Sequence, residues 1–248
     1  MSGASIPPAL LLLPGIDGTG KFLAEFAKAL RPSVEPIVVP YPADRALGYD
    51  ELEALVLAAL PSDRPYILLG ESFSGPLVVR IAARSPRGLL AVILCTTFAG
   101  NPFPWARWLR PLAALLPLKA LPRWVRAPLM WGSASPRRAP AQADRAIAGV
   151  APAVIRHRIA ALLAVDESPA LARIRVPALV VIASHDRVIS RAATRRMVDG
   201  LPGARLAEIE GPHLLLQTHP AECAAAVLEF MREVVASAPA AKPIQQPA

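Results

Sequence analysis

Short apolar runs recur along the chain, separated by stretches whose apolar positions fall at helical spacing. Residues 9–13 (ALLLL) form a continuous apolar run closed by Pro14-Gly15, which predicts a buried strand. Phe22, Leu23, Phe26 and Leu30 then line one side of a helix over 20–30. The same alternation predicts strands at 36–41, 65–70, 90–95, 178–183 and 204–209, and helices at 51–60, 73–84, 190–200 and 217–235. Asp50, with Glu53 three positions on, matches a capping box at the start of the second helix. Apolar strands that alternate with helices predict an α/β fold, with a mainly parallel sheet of about six strands covered on both faces.

The alternation stops between Ala99 and Ser168. This segment is rich in Pro, Trp and Arg and has helical patches without a strand signal. The expected organisation is a core built from 1–98 and 169–236, interrupted by a helical cap insertion at 99–168. The tail 237–248 (SAPAAKPIQQPA) has no core face and is expected to be disordered. An insertion between two strands can lie over their carboxyl ends, where ligands bind in such sheets.

Composition narrows the class. The chain has 248 residues, of which 54% are hydrophobic, enough for a large single core. No apolar stretch approaches the roughly 18 residues of a spanning helix. No basic residue precedes the short Leu10–Leu13 run, so a cytoplasmic location is expected rather than secretion. The two cysteines, Cys95 and Cys223, allow one disulfide but not a disulfide scaffold. No Cys or His pair has metal-ligand spacing, and no cofactor is expected. Of the net charge of +8, residues 99–168 carry +7, from ten basic and three acidic side chains. That clustering argues against a uniformly basic nucleic-acid binder. It points to an anionic partner at the insertion, either an acyl carrier or a lipid surface, unless it only reflects an arginine-rich composition.

The chemistry starts at Ser72. The strand at 65–70 runs into Gly70-Glu71-Ser72-Phe73-Ser74-Gly75 and then into a helix. A serine in a sharp strand–turn–helix, with small residues two before and two after, is the context of a nucleophile elbow. Its hydroxyl needs a base in reach. Of His157, His185, His213 and His219, His213 stands in the loop after the last predicted strand and is the chosen base. Asp186, just after the penultimate strand, is the chosen acceptor for that base, ahead of Glu210 and Asp166. The order Ser72, Asp186, His213 suits this architecture. Two N–H groups are expected to hold a developing oxyanion. One is that of Phe73, and the other comes from the glycine-rich loop Pro14-Gly15-Ile16-Asp17-Gly18-Thr19-Gly20. That loop lacks the endings of a phosphate-binding loop.

Taken together, these motifs make residues 9–235 resemble the α/β-hydrolase fold. LLLPGIDGTG and GESFSGPL are similar to a subgroup of small bacterial hydrolases, and to the hydrolase part of plant esterase/acyltransferases that handle phytol and diacylglycerol. The resemblance implies that Pro14-Gly15-Ile16 is the oxyanion loop, with Ile16 N–H as the second donor or Asp17 N–H as its rival. It also implies that 99–168 is the cap and that the family's first two strands are absent. The expected activity is hydrolysis of a carboxylic ester through an acyl-enzyme. Trp105 and Trp108 in the cap, with Ile16 and Phe73, are expected to bind a hydrophobic acyl group. The alternatives are an acyltransferase or thioesterase with the same triad and, less favoured, a binding protein on the same fold.

Overall fold

The structure, a computed structural model, describes residues 7–109, 130–131 and 147–237. Six strands form one parallel sheet: β1 (Ala9–Leu13), β2 (Pro36–Val38), β3 (Tyr66–Glu71), β4 (Leu89–Cys95), β5 (Ala178–Ala183) and β6 (Arg205–Ile209). Their spatial order is β2-β1-β3-β4-β5-β6. The chain therefore leaves β1 toward one edge and returns on the other side of it to form β3. The carboxyl ends of β1 and β3 flank the point where the order reverses, the usual ligand crevice of such sheets.

The strands are apolar throughout because both faces are covered. Leu10, Leu12, Ile67, Leu69, Ile93 and Val181 face one side, where α1 (Ala24–Leu30) and the C-terminal helix supply Phe26, Val227 and Phe230. Leu11, Leu13, Leu68, Val92, Leu94 and Val180 face the other. There they meet α2 (Tyr49–Ala58) and α3 (Gly75–Ala82). The helices α4 (Pro152–Ala164) and α5 (Arg191–Asp199) complete the central set. Cys95 and Cys223 are both buried and both free, so the disulfide does not form.

Three local expectations shift. The N-cap of α2 is Gly48, whose N–H donates to Glu51 Oε2 at 2.9 Å, in place of the Asp50 and Glu53 pair. Those two acids instead meet Arg80 and Arg84. The predicted strand at 36–41 ends at Val38, two residues before Pro40. The predicted last helix is broken into α6 (Leu215–Thr218) and α7 (Pro220–Ser237). His219 precedes a proline, whose ring disfavours helical backbone at the residue before it.

The insertion enters and leaves the core through one narrow neck. Gly100 and Asp166 form an antiparallel backbone bridge, and Asn101 N–H donates to Val165 O at 2.9 Å. Residues 110–129 and 132–146, which hold Trp124 and most of the basic cluster, lie outside the described residues, as does 238–248. Among the described residues, no helix is long and apolar enough to cross a membrane, and no His, Cys, Asp and Glu cluster could hold a metal.

Candidate active site

At the end of β3 the backbone turns so sharply that Ser72 takes a φ of 47°, a left-handed value uncommon for serine. The turn brings α3 against the strand, and two glycines make that approach possible. A Cβ on Gly70 would lie 2.9 Å from the Ser74 carbonyl oxygen. One on Gly75 would drive into Thr97 and lie 2.8 Å from the Phe98 carbonyl oxygen. The elbow's carbonyls are held as well. Thr97 Oγ1 donates to Ser72 O, and Tyr49 OH donates to Phe73 O at 2.9 Å.

Strands β5 and β6 supply the other two predicted residues. Their following loops lie side by side, joined by His185 N–H donating to Gly211 O at 3.0 Å. Ser72 Oγ lies 3.0 Å from His213 Nε2, and His213 Nδ1 lies 2.8 Å from Asp186 Oδ2. Asp186 is anchored from its own loop, because its Oδ1 accepts the N–H groups of Val188 and Ile189, each at 2.8 Å. His213 is buried, at 1% exposure. With the proton on Nδ1 directed to Asp186, Nε2 is left as the acceptor for the serine proton. The other histidines stand apart: His157 and His185 are exposed, and His219 faces Thr218. Glu210 is exposed, and Asp166 accepts the Ser168 N–H at the neck.

The loop after β1 sits beside this group and is tethered along its length. Ser74 Oγ donates to Pro14 O, with Tyr41 OH 2.5 Å from the same hydroxyl. The serine two residues after Ser72 is thus more than a small residue, since it ties the elbow to the neighbouring loop. Gly18 N–H closes a turn on Gly15 O at 3.0 Å. Asp17 Oδ2 accepts Thr19 N–H at 2.9 Å and Thr19 Oγ1 at 2.6 Å.

Sequence reasoning missed Glu71. It is fully enclosed next to Ser72, and Gln217 Nε2 on α6 donates to its Oε1 at 2.7 Å. Burial pushes its carboxyl up to about 7, against the lowering effect of the Gln217 bond. A carboxylate in an otherwise apolar strand end was the available signal. Burial likewise raises Asp17 above the ordinary carboxylate range, opposed by the Thr19 hydrogen bonds.

The cap tryptophans separate. Trp105 and Trp108 lie on a 3-10 turn, Pro104–Leu109, at 73% and 84% exposure, and the structure does not bring them to Ser72. Trp105 packs edge-on against Phe103, with ring centroids 6.3 Å apart. Among the described tryptophans, Trp131 is the buried one. It packs edge-on against Phe22 with ring centroids 6.4 Å apart, and its cluster includes Leu214, the neighbour of His213. Leu214 N–H donates to Met130 O at 3.1 Å, so this part of the insertion touches the His213 loop directly.

Comparison with known proteins bears on the family and the fold. A family model described as the alpha/beta hydrolase family matches residues 10–226. RutD of Caulobacter sp. strain K31, a candidate carbamate hydrolase, is 27% identical over 92% of this chain and 92% of its own. Polyketide synthase ThaQ of Burkholderia thailandensis is 28% identical over 94% of this chain, which spans only 12% of that protein. Chloroplastic phytyl ester synthase 2 of Arabidopsis thaliana is 34% identical over 97 residues, 37% of this chain and 14% of that protein. Among solved structures, the enol-lactonase from Burkholderia xenovorans LB400 superposes with a TM-score of 0.80 at 20% identity, covering 93% of this chain and 94% of that one.

Proposed function

The chain belongs to the alpha/beta hydrolase family, and from that premise we propose that it is a serine hydrolase that cleaves a carboxylic ester through an acyl-enzyme. The observation that carries this reading is the unbroken relay from Ser72 Oγ through His213 to Asp186, at 3.0 and 2.8 Å, on a serine held at a strained elbow. His213 Nε2 takes the hydroxyl proton as Ser72 Oγ attacks the ester carbonyl. The N–H groups of Phe73 and Ile16 receive the negative charge that develops on the carbonyl oxygen. His213 then gives its proton to the departing alkoxide, and the acyl group stays on Ser72. Water, deprotonated by His213, attacks the acyl carbonyl, and His213 returns that proton to Ser72 Oγ as the carboxylic acid leaves. Asp186 fixes the imidazole tautomer and stabilises its protonated form.

In this reading residues 99–168 are the cap, inserted between the two core halves 1–98 and 169–236, and the pocket for a hydrophobic acyl group lies beneath it. Ile16 and Phe73 line that pocket, and Trp131 takes the place expected for Trp105 and Trp108. The test is hydrolysis of p-nitrophenyl esters of increasing chain length, together with labelling by a fluorophosphonate probe. Ser72→Ala is expected to lose labelling and about 10⁶-fold in kcat. Substantial activity left in the purified variant would remove the assignment.

Two similarities favour a second reading with the same triad, transfer or release of a carrier-linked acyl group. One is to a polyketide synthase and the other to a phytyl ester synthase. An anionic acyl carrier would also suit the basic insertion. Assays with an acyl thioester and with added long-chain alcohol separate the readings: a new ester product favours transfer, and free acid alone favours hydrolysis.

A further inference from the structure

Arg158 is an arginine where a core residue should be. It follows Val154 and Ile155 by four and three positions on α4, on the helix face that is buried, and is itself 1% exposed. Its guanidinium is spent on backbone carbonyls. Nη1 donates to Ile16 O at 3.0 Å and to Asp17 O at 2.8 Å, and Nη2 donates to Pro42 O at 2.9 Å. The Tyr41 ring lies under it, with Cζ 5.7 Å from the ring centroid. Gly18, at a φ of +69°, leaves the space it fills, since a Cβ there would lie 2.7 Å from the guanidinium carbon. Burying so large a cation is costly unless its donors are used; Nη1 and Nη2 are used on a single loop and its neighbour, while Nε has no partner among the described residues.

We propose that Arg158 is a positioning residue for the oxyanion loop: reaching from the insertion into the core, it holds the Asp17–Gly18 peptide, whose N–H closes the turn on Gly15 O, and through that turn it sets the direction of Ile16 N–H. The inference rests on the serine-hydrolase reading above. In a trans peptide the N–H points opposite the C=O. Holding Ile16 O and Asp17 O therefore sets the planes of the two peptides after Ile16. The Gly15–Gly18 turn sets the peptide that carries Ile16 N–H. Ser74 tethers the loop from the core, whereas Arg158 is its tether from the insertion side. A donor left free to swing loses much of its value in the transition state, where a single preorganised donor is worth about 10²–10³ in kcat.

The experiment compares the full-length protein with Arg158→Met and Arg158→Lys. Readouts are kcat and KM on a p-nitrophenyl ester, inhibition by an alkyl boronic acid, fluorophosphonate labelling and thermal unfolding. Arg158→Met is expected to lose 10- to 100-fold in kcat with KM changed less than threefold, and to bind the boronic acid correspondingly less well. Arg158→Lys, which retains N–H donors, is expected to recover part of both. Unchanged kcat in a folded Arg158→Met overturns the proposal, as does a loss that appears wholly in KM. If Arg158→Met does not fold, Arg158→Lys decides alone: kcat at the parent level together with parental boronic acid affinity overturns the proposal, and a fall in both with KM held supports it. Failure of the underlying reading looks different, because the parent protein itself would then neither hydrolyse the ester nor label at Ser72.

Discussion

Glu71 places an ionisable group one residue before Ser72, shielded from water and held by Gln217. The folded protein keeps its proton up to about pH 7, whereas the unfolded chain releases it near 4.5. Between those values the folded state binds more protons, so this group's contribution to stability falls as pH rises. Glu71→Gln mimics the protonated form. From pH 4.5 to 7.5 the unfolding free energy of the variant should therefore gain on that of the parent, by up to about 3 kcal/mol. Parallel pH profiles in urea titrations would contradict this. Asp186→Asn is the companion test at this scale. The amide oxygen can still accept from Val188 and Ile189, so the loop should survive, but the acceptor for His213 Nδ1 is compromised. A loss of about 10⁴-fold in kcat with near-parental melting is expected.

The elbow is the element on which the site depends, and its packing limits are specific. Gly75→Ala must push Thr97 or the Phe98 carbonyl aside, and Thr97 is also the group that holds Ser72 O. A loss of about 1–3 kcal/mol is expected, read from the urea midpoint, with activity falling in the protein that remains folded. Much of this element was legible in the sequence. An apolar strand, a G-x-S-x-small turn and an amphipathic helix are local patterns, and local patterns placed Ser72, Asp186 and His213 at three strand ends. The break at His219 was legible too, through Pro220, though a continuous apolar stripe concealed it. Glu71 and Arg158 were harder to find. Each owes its role to a partner far along the chain, Gln217 for one and Ile16 and Asp17 for the other. Tertiary contact alone distinguishes Arg158 from the other arginines around it. Trp105 and Trp108 failed for the same reason, since composition says that a tryptophan wants burial but not which one finds a partner.

Across the whole molecule, the return from the insertion is fastened to the core by an ion network. Arg80 on α3 pairs with Glu167 just past the neck, through Nη2 at 2.6 Å, and also with Asp50 on α2. Arg84 pairs with the buried Glu53 at 3.0 Å. Arg80→Met should cost about 1–2 kcal/mol at low salt and less at high salt, measured by urea unfolding at two ionic strengths. A cost that does not depend on salt would mean that packing, not charge, is what the arginine supplies. The neck has a further consequence for how such a protein can diversify. Because the chain entering and the chain leaving the insertion meet at the Gly100–Asp166 bridge, a segment of another length or composition can be exchanged there without respacing the sheet. Arg158 sets a condition on that freedom. A transplanted cap that brought a new pocket but no equivalent cation would fold onto an intact core and still work slowly. Exchange of substrate range between relatives would then have to carry this one side chain along, or repair the loop from within.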